Sequence, residues 1–247
     1  MSTYVLIHGA LHGGWCWRKV VPLLEAKGHA VVAPDLPGHA DDPTPPSTVT
    51  LAAYAERICE VVAACKEPVI LLGHSVGGAA ITQAAENCPN QILALVYLCA
   101  FLPRNGESAS SLAKEDPQSL FNANLARVTE GVVTVRPEAR HEAFYGSCSE
   151  EDEAFAISRL TPQALAPLAA PVVTSAERWG QIPRYYIECT GDRTITLEFQ
   201  RTMQENCPCE ETFSIGTDHS PFFSAPETLV EILSRIGDKH VSSPDRD

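Results

Sequence analysis

The sequence predicts an α/β protein, a mostly parallel sheet with helices on both faces. Three observations carry that expectation. Short apolar runs alternate with segments of helical spacing from Thr3 onward. The runs are rich in Val, Ile and Leu and do not alternate with polar residues, as strands covered on both faces should not. One of them, Val69 to Leu72, ends abruptly in Gly73-His74-Ser75-Val76-Gly77-Gly78 and passes into a small, helix-compatible stretch that reaches Asn87. That is strand, sharp turn, helix, and Gly73, Ser75 and Gly77 fit the G-x-S-x-G nucleophile elbow.

The elements follow in order. Thr3 to His8 reads as a strand opening into a loop. Trp17 to Lys27 has apolar residues at helical spacing and stops at Gly28, a C-terminal glycine cap. Ala30 to Ala33 is a strand closed by Pro34-Asp35-Leu36-Pro37-Gly38. Ala40 to Thr50 is rich in Pro, Asp, Ser and Thr and reads as loop, and Leu51 to Cys65 as helix. The elbow strand and helix come next, then the strands Ile92 to Phe101, Arg184 to Thr190 and Glu211 to Ile215, the last two each followed by a helical segment.

Pro103 to Gln181 breaks the alternation. It is mixed, largely helical in propensity, and interrupted by prolines, and it separates two strands that ought to be neighbours. Ligands in open α/β sheets bind outside the carboxyl ends of the strands, so the insertion reads as a cap there. The expected organisation is a core of residues 1–102 and 182–237, a cap of 103–181 and a polar, frayed tail of 238–247.

Composition narrows the function. A chain of 247 residues, 45% hydrophobic, suits one domain with a full core. Its 18 basic and 31 acidic residues give a net charge of −13, which disfavours nucleic acid and anionic membranes as partners. The longest apolar run, Ile92 to Leu102, is too short for a span of about 20 residues. The chain enters a strand by Tyr4, leaving no room for a signal peptide, and the nine cysteines show no paired spacing, so a reducing cytoplasm is expected.

The chemistry starts from Ser75. A hydroxyl is a poor nucleophile at neutral pH and needs a histidine base, itself oriented by a carboxylate. Of eight histidines, His219 follows the last strand at the carboxyl edge of the sheet, within reach of Ser75. His74 is adjacent to Ser75 and should point elsewhere. The chain order Ser, acid, His calls for a carboxylate after the intervening strand. Asp192 in Cys189-Thr190-Gly191-Asp192 fits, whereas Glu188 lies inside the strand and Asp218 reads as a turn residue. The oxyanion needs two backbone N–H donors. Val76, after the nucleophile, and Ala10, in the loop His8-Gly9-Ala10-Leu11, are the candidates. Gly9 lets that loop approach closely, and His8 braces it. Candidates for touching substrate are Gly9, His12 and Trp15 from this first loop, with Phe121 and Phe144 from the cap. The run Glu150 to Glu153 reads as a solvated helix start.

These motifs together resemble the α/β-hydrolase superfamily, and within it the small esterases and hydroxynitrile lyases typified by plant methylesterases. The carrying residues are His8-Gly9-Ala10-Leu11-His12-Gly13-Gly14-Trp15, Asp35-Leu36-Pro37-Gly38-His39, the elbow, Tyr186-Ile187 to Phe199-Gln200, and Asp218-His219. The resemblance implies the triad Ser75, Asp192, His219, the oxyanion donors Ala10 and Val76, no cofactor or metal, and a helical cap over an apolar pocket. The amino terminus lacks the leading hairpin of larger relatives, implying a sheet of about six strands. The lyases of the group resemble one another in having threonine after the first-loop histidine and lysine after the catalytic histidine. Here those positions are Gly9 and Ser220, so the esterase branch is expected: a serine carboxylesterase for small to medium neutral or aromatic esters, as a monomer or a homodimer. The alternatives are a carbon–carbon lyase and a ligand receptor with slow residual turnover.

Overall fold

The structure is a computed structural model and describes residues 1–240. Strands β1 (Thr3–Ile7), β2 (Ala30–Val32), β3 (Val69–His74), β4 (Ile92–Leu98), β8 (Arg184–Cys189) and β9 (Glu211–Ile215) form one sheet, in the order β2-β1-β3-β4-β8-β9. Every pairing in it is parallel. The six-stranded sheet is the one expected. All of β3 is buried, including His74, so both faces of the sheet are covered at its centre.

The covering helices follow from spacing. The helix α1 spans Val20–Ala26 and α2 spans Leu51–Ala64. In α2 the buried residues Leu51, Tyr54, Ala55, Ile58, Val61 and Val62 recur every three or four positions, and Thr50 caps the start by accepting from the Ala53 amide. It packs on α3 (Gly77–Asn87), the helix that leaves the elbow. The stretch Trp17 to Lys27 divides: Gly14–Arg18 is a 3₁₀ turn and α1 begins only at Val20.

The insertion is not purely helical. Its helices are short: α4 (Ala109–Ala113), α5 (Leu120–Ala123), α6 (Glu150–Ile157) and α7 (Ala166–Ala169). Between them β5 (Leu125–Thr129), β6 (Val132–Val135) and β7 (Gln163–Ala164) make an antiparallel three-stranded sheet. The acid run starting α6 is not wholly solvated either. Asp152 is buried, with Oδ2 accepting from Lys19 Nζ at 2.5 Å and from Ser149 Oγ at 2.7 Å, which ties the cap to the core.

Helix α8 (Leu197–Asn206) follows β8, and the turn α9 (Pro221–Ser224) and α10 (Pro226–His240) follow β9. The helix α10 runs past the expected start of the tail, because its inner face is anchored: the Tyr4 hydroxyl donates to Leu233 O at 2.8 Å, and Ile236 and Gly237 are buried. The rest of the expected tail, 241–247, lies outside the described residues. Cys59 and Cys88 are joined by a disulfide, which corrects the expectation of unpaired cysteines.

Candidate active site

The elbow is as tight as its sequence demands. Ser75 holds φ at +55°, a left-handed conformation that is costly for a residue with a side chain. It is locked by its neighbours: the Ser75 amide donates to Leu98 O, and its carbonyl accepts from the Gly78 and Phe101 amides. A Cβ at Gly73 would fall 2.6 Å from Gly77 O, and one at Gly77 would fall 2.8 Å from His8 O. Glycine is therefore required at both positions for the turn to close.

His219 and Asp192 lie on the loops after β9 and β8, both buried, at the carboxyl edge of the sheet. His219 Nδ1 and Asp192 Oδ2 are 2.6 Å apart. The carboxylate accepts there, so Nδ1 carries the proton and Nε2 keeps a lone pair. Asp192 Oδ1 accepts from the Thr194 and Ile195 amides at 2.7 and 3.0 Å, and Gln200 Nε2 braces the same loop through Ile195 O at 2.8 Å. The Ser75 hydroxyl makes no hydrogen bond among the described residues; such contacts commonly tighten only in the substrate complex.

His74 does turn away from the chemistry, and it has a task. Its Nε2 donates to the His219 carbonyl at 2.8 Å, so the residue before the nucleophile fixes the backbone of the proposed base. Cys99 Sγ approaches the same carbonyl at 3.8 Å. The ligand-type atoms of His74, Cys99 and His219 lie within 4.8 Å of one another. These atoms fit a loop anchor better than a metal site. His74 Nε2 and Cys99 Sγ both face the His219 carbonyl, and burial pushes the Cys99 thiol well up, away from the thiolate that a metal binds.

The first loop lies against the nucleophile. A Cβ at Gly9 would come within 2.8 Å of both Ser75 Cβ and His74 Nδ1. His8 braces the loop as expected, with Nε2 accepting from the Leu36 amide at 3.0 Å and Nδ1 bonded to Gly9 O at 2.9 Å. Burial pushes the His8 imidazole down to about 4 and that of His12 down to about 3, so both rings are neutral.

A cavity of about 470 Å³ opens beside Val76, walled mainly by Phe101, Phe121, Leu125, Leu165 and Leu168. Of the expected substrate contacts, Phe121 lines it and the other four do not. Phe144 is buried, its ring centroid 6.1 Å from those of Phe121 and of His219. Gly9 is occupied by the elbow. His12 is fully buried between Ala10 O and the Tyr145 hydroxyl. Trp15 faces a separate polar depression with Asp35, Asp41 and Arg159, while Trp17 is wholly in the core. The apolar cap residues are thus divided between lining and core. The cavity is not free of charge: exposed Lys114 stands at its rim, and buried Asp116 accepts from the Thr196 amide and hydroxyl.

The loops that carry Asp192 and His219 also bond the cap, which no motif in the sequence announces. Asp218 is more than a turn residue, since it accepts from the Ser147 amide of the cap, and Thr194 Oγ1 donates to Ala143 O. These partners are 71 and 51 residues apart, and no local signal marks them.

Residues 4–232 match the family model described as the alpha/beta hydrolase family. The chain belongs to the alpha/beta hydrolase family. It is similar to Methylesterase 9 of Arabidopsis thaliana, 33% identical over 97% of this chain and 100% of that protein. It is 34% identical to Salicylic acid-binding protein 2 of Nicotiana tabacum, over 96% of this chain and 97% of the relative. Among solved structures, polyneuridine aldehyde esterase superposes with a TM-score of 0.87 at 30% identity, covering 96% of this chain and all of that one. Within this family, no helix among the described residues of this member is long and apolar enough to cross a membrane.

Proposed function

We propose that this alpha/beta hydrolase cleaves carboxylic esters through an acyl-serine. The chain is a carboxylic ester hydrolase, and the observation that carries the mechanism is the buried His219–Asp192 pair beside a strained serine elbow. Ser75 Oγ attacks the ester carbonyl carbon as His219 Nε2 takes the hydroxyl proton. Asp192 holds the imidazole in the tautomer that leaves Nε2 free and stabilises the imidazolium. The oxyanion is met by the Ala10 and Val76 amides. His219 then protonates the departing alcohol, and water repeats the sequence on the acyl-serine, returning Ser75 and the acid. No step needs a metal or cofactor.

The cavity supports a small to medium ester that is neutral and apolar or aromatic, because its walls are largely aliphatic and aromatic. A lyase of the related kind is disfavoured because Gly9 lacks the threonine hydroxyl, and Ser220 the lysine ammonium, that such chemistry uses at those two positions. A ligand receptor differs in turnover rather than in site. The test is a rate series on short p-nitrophenyl esters with the wild type and Ser75→Ala. We expect multiple turnovers from the former and at least a thousandfold loss in the latter, on the order seen for triad removal. Equal rates would remove the mechanism, and a single slow turnover with product retained would favour the receptor.

A further inference from the structure

We propose that His12 and Tyr145 are positioning residues that hold the Ala10 amide in place as an oxyanion donor, an inference that rests on the ester-hydrolase reading above. Two peptide planes set the direction of that amide. The Gly9 carbonyl and the Ala10 N–H belong to one trans peptide and point in opposite directions. His8 Nδ1 donates to that carbonyl at 2.9 Å, since its Nε2 is already taken as acceptor by the Leu36 amide. This fixes the first plane.

The second plane is fixed by His12. Its Nδ1 lies 2.7 Å from Ala10 O, and only an N–H can bond a carbonyl there. A neutral ring has one proton, so Nε2 is an acceptor, and the Tyr145 hydroxyl donates to it at 2.9 Å. Removing that hydroxyl leaves a buried lone pair unpaired and frees the ring to take the other tautomer, which cannot hold Ala10 O. The clamp has strain to hold. Leu11, the next residue, sits at φ +65°, and such a conformation persists only when its surroundings over-determine it. The other hold is the Thr161 amide, which donates to Leu11 O at 2.9 Å.

Tyr145 closes a π-helical turn, His141–Tyr145, a rare geometry that clusters at functional sites. The same turn accepts from Thr194 at Ala143 O, and it runs into Ser147, whose amide bonds Asp218. One cap segment therefore touches the oxyanion loop, the acid loop and the histidine loop.

The experiment compares wild type, Tyr145→Phe, His12→Asn, His12→Ala and Ser75→Ala. It reads kcat and KM on p-nitrophenyl butyrate, melting temperature, and Ki for an aryl trifluoromethyl ketone, which forms an oxyanion on the serine. In Tyr145→Phe we expect kcat to fall about 10-fold, less than the loss of a whole oxyanion donor, and the ketone Ki to rise by a similar factor. KM should stay put, and the melting temperature should fall by only a few degrees, the cost of the unpaired nitrogen. His12→Asn, which keeps a side-chain N–H, should retain more activity than His12→Ala. Unchanged kcat and Ki in Tyr145→Phe would overturn the proposal, as would a fall in kcat with Ki unmoved. Should Tyr145→Phe not fold, equal losses in the two His12 variants would overturn it. Full activity in Ser75→Ala would instead sink the ester-hydrolase reading itself.

Discussion

The amide of Ser147 donates to Asp218 Oδ2 at 2.8 Å, so the loop that carries His219 is tied to the cap. Asp218 Oδ1 also accepts from the Ser220 amide at 3.1 Å and from Ser224 Oγ at 2.8 Å. Asp218→Ala would strand these three donors at once, the Ser220 amide among them fully buried. We expect a stability loss of about 1–3 kcal/mol by urea titration, and a fall in kcat as the His219 loop loosens. A variant with wild-type midpoint and wild-type rate would show that the tie is incidental.

Acid should unfold this protein early. Burial lowers the pKa of His8 to about 4 and of His12 to about 3, and pushes His39 and His74 well below the usual histidine range. Below about 6.5 the unfolded chain takes up protons that these folded rings refuse, so stability is complete above that pH. It is lost as pH falls toward 4, where His8 at last titrates. Each ring contributes up to about 1.4 kcal/mol per pH unit across its own window. Urea midpoints at pH 7.5 and 5 measure it, and equal midpoints would contradict the burial of these rings.

Gly9→Ala should damage both stability and rate. The added methyl would meet Ser75 Cβ at 2.8 Å, a distance that forces the loop or the elbow to move. Overpacking of this kind costs about 1–3 kcal/mol, and here the displaced backbone carries the proposed oxyanion donor. We expect kcat to drop at least 10-fold. A fully active Gly9→Ala enzyme would mean that the loop has slack which the structure does not display.

The cavity prediction concerns two residues. Phe121→Ala deepens the pocket, so the optimum acyl chain should lengthen by about two to four carbons. Lys114 is exposed at the rim, and Lys114→Ala should leave neutral esters within about twofold of wild type, as surface charges contribute little. A large loss on neutral esters, or a strong wild-type preference for anionic ones, would assign Lys114 a binding role and overturn the neutral-substrate reading.

The Cys59–Cys88 bond closes a loop with a sequence separation of 29, linking α2 to the end of α3. A crosslink of that span constrains the unfolded chain by about 3–4 kcal/mol. Unfolding with and without reductant should show this difference, and thiol titration of the denatured, unreduced protein should find seven free cysteines. Nine titratable thiols would show that the bond does not form in the purified protein.

What the sequence made legible was whatever is local. The elbow could be read because strand, glycines and serine lie within ten residues, and Asp192 and His219 because strand ends announce themselves by composition. The cap was harder. Leu125 to Val135 does carry a strand signal, alternation broken by Glu130-Gly131, but proline-rich surroundings of helical propensity masked it. The disulfide and the bond between Tyr145 and His12 join residues 29 and 133 positions apart. Only the packed fold brings such partners together. The expectation that His12 touches substrate meets the same limit: the ring lies outside the cavity lining, with one nitrogen on Ala10 O and the other on the distant Tyr145 hydroxyl.

The cap has two unequal halves. The stretch from Ala143 to Cys148 is bolted to the loops that carry Asp192 and His219 and to the first loop at His12, whereas Ala109 to Leu125 supplies much of the cavity wall and reaches the Asp192 loop mainly through the Asp116, Ser119 and Leu120 bonds to residues 193–196. Substrate range can therefore drift over generations through replacements at Ser110, Ala113, Phe121 or Ala123 while turnover is preserved. The bolted half has no such freedom. A lineage that explores new esters should diversify along one edge of its cap and stay nearly still along the other, and a library for new substrates belongs on the first.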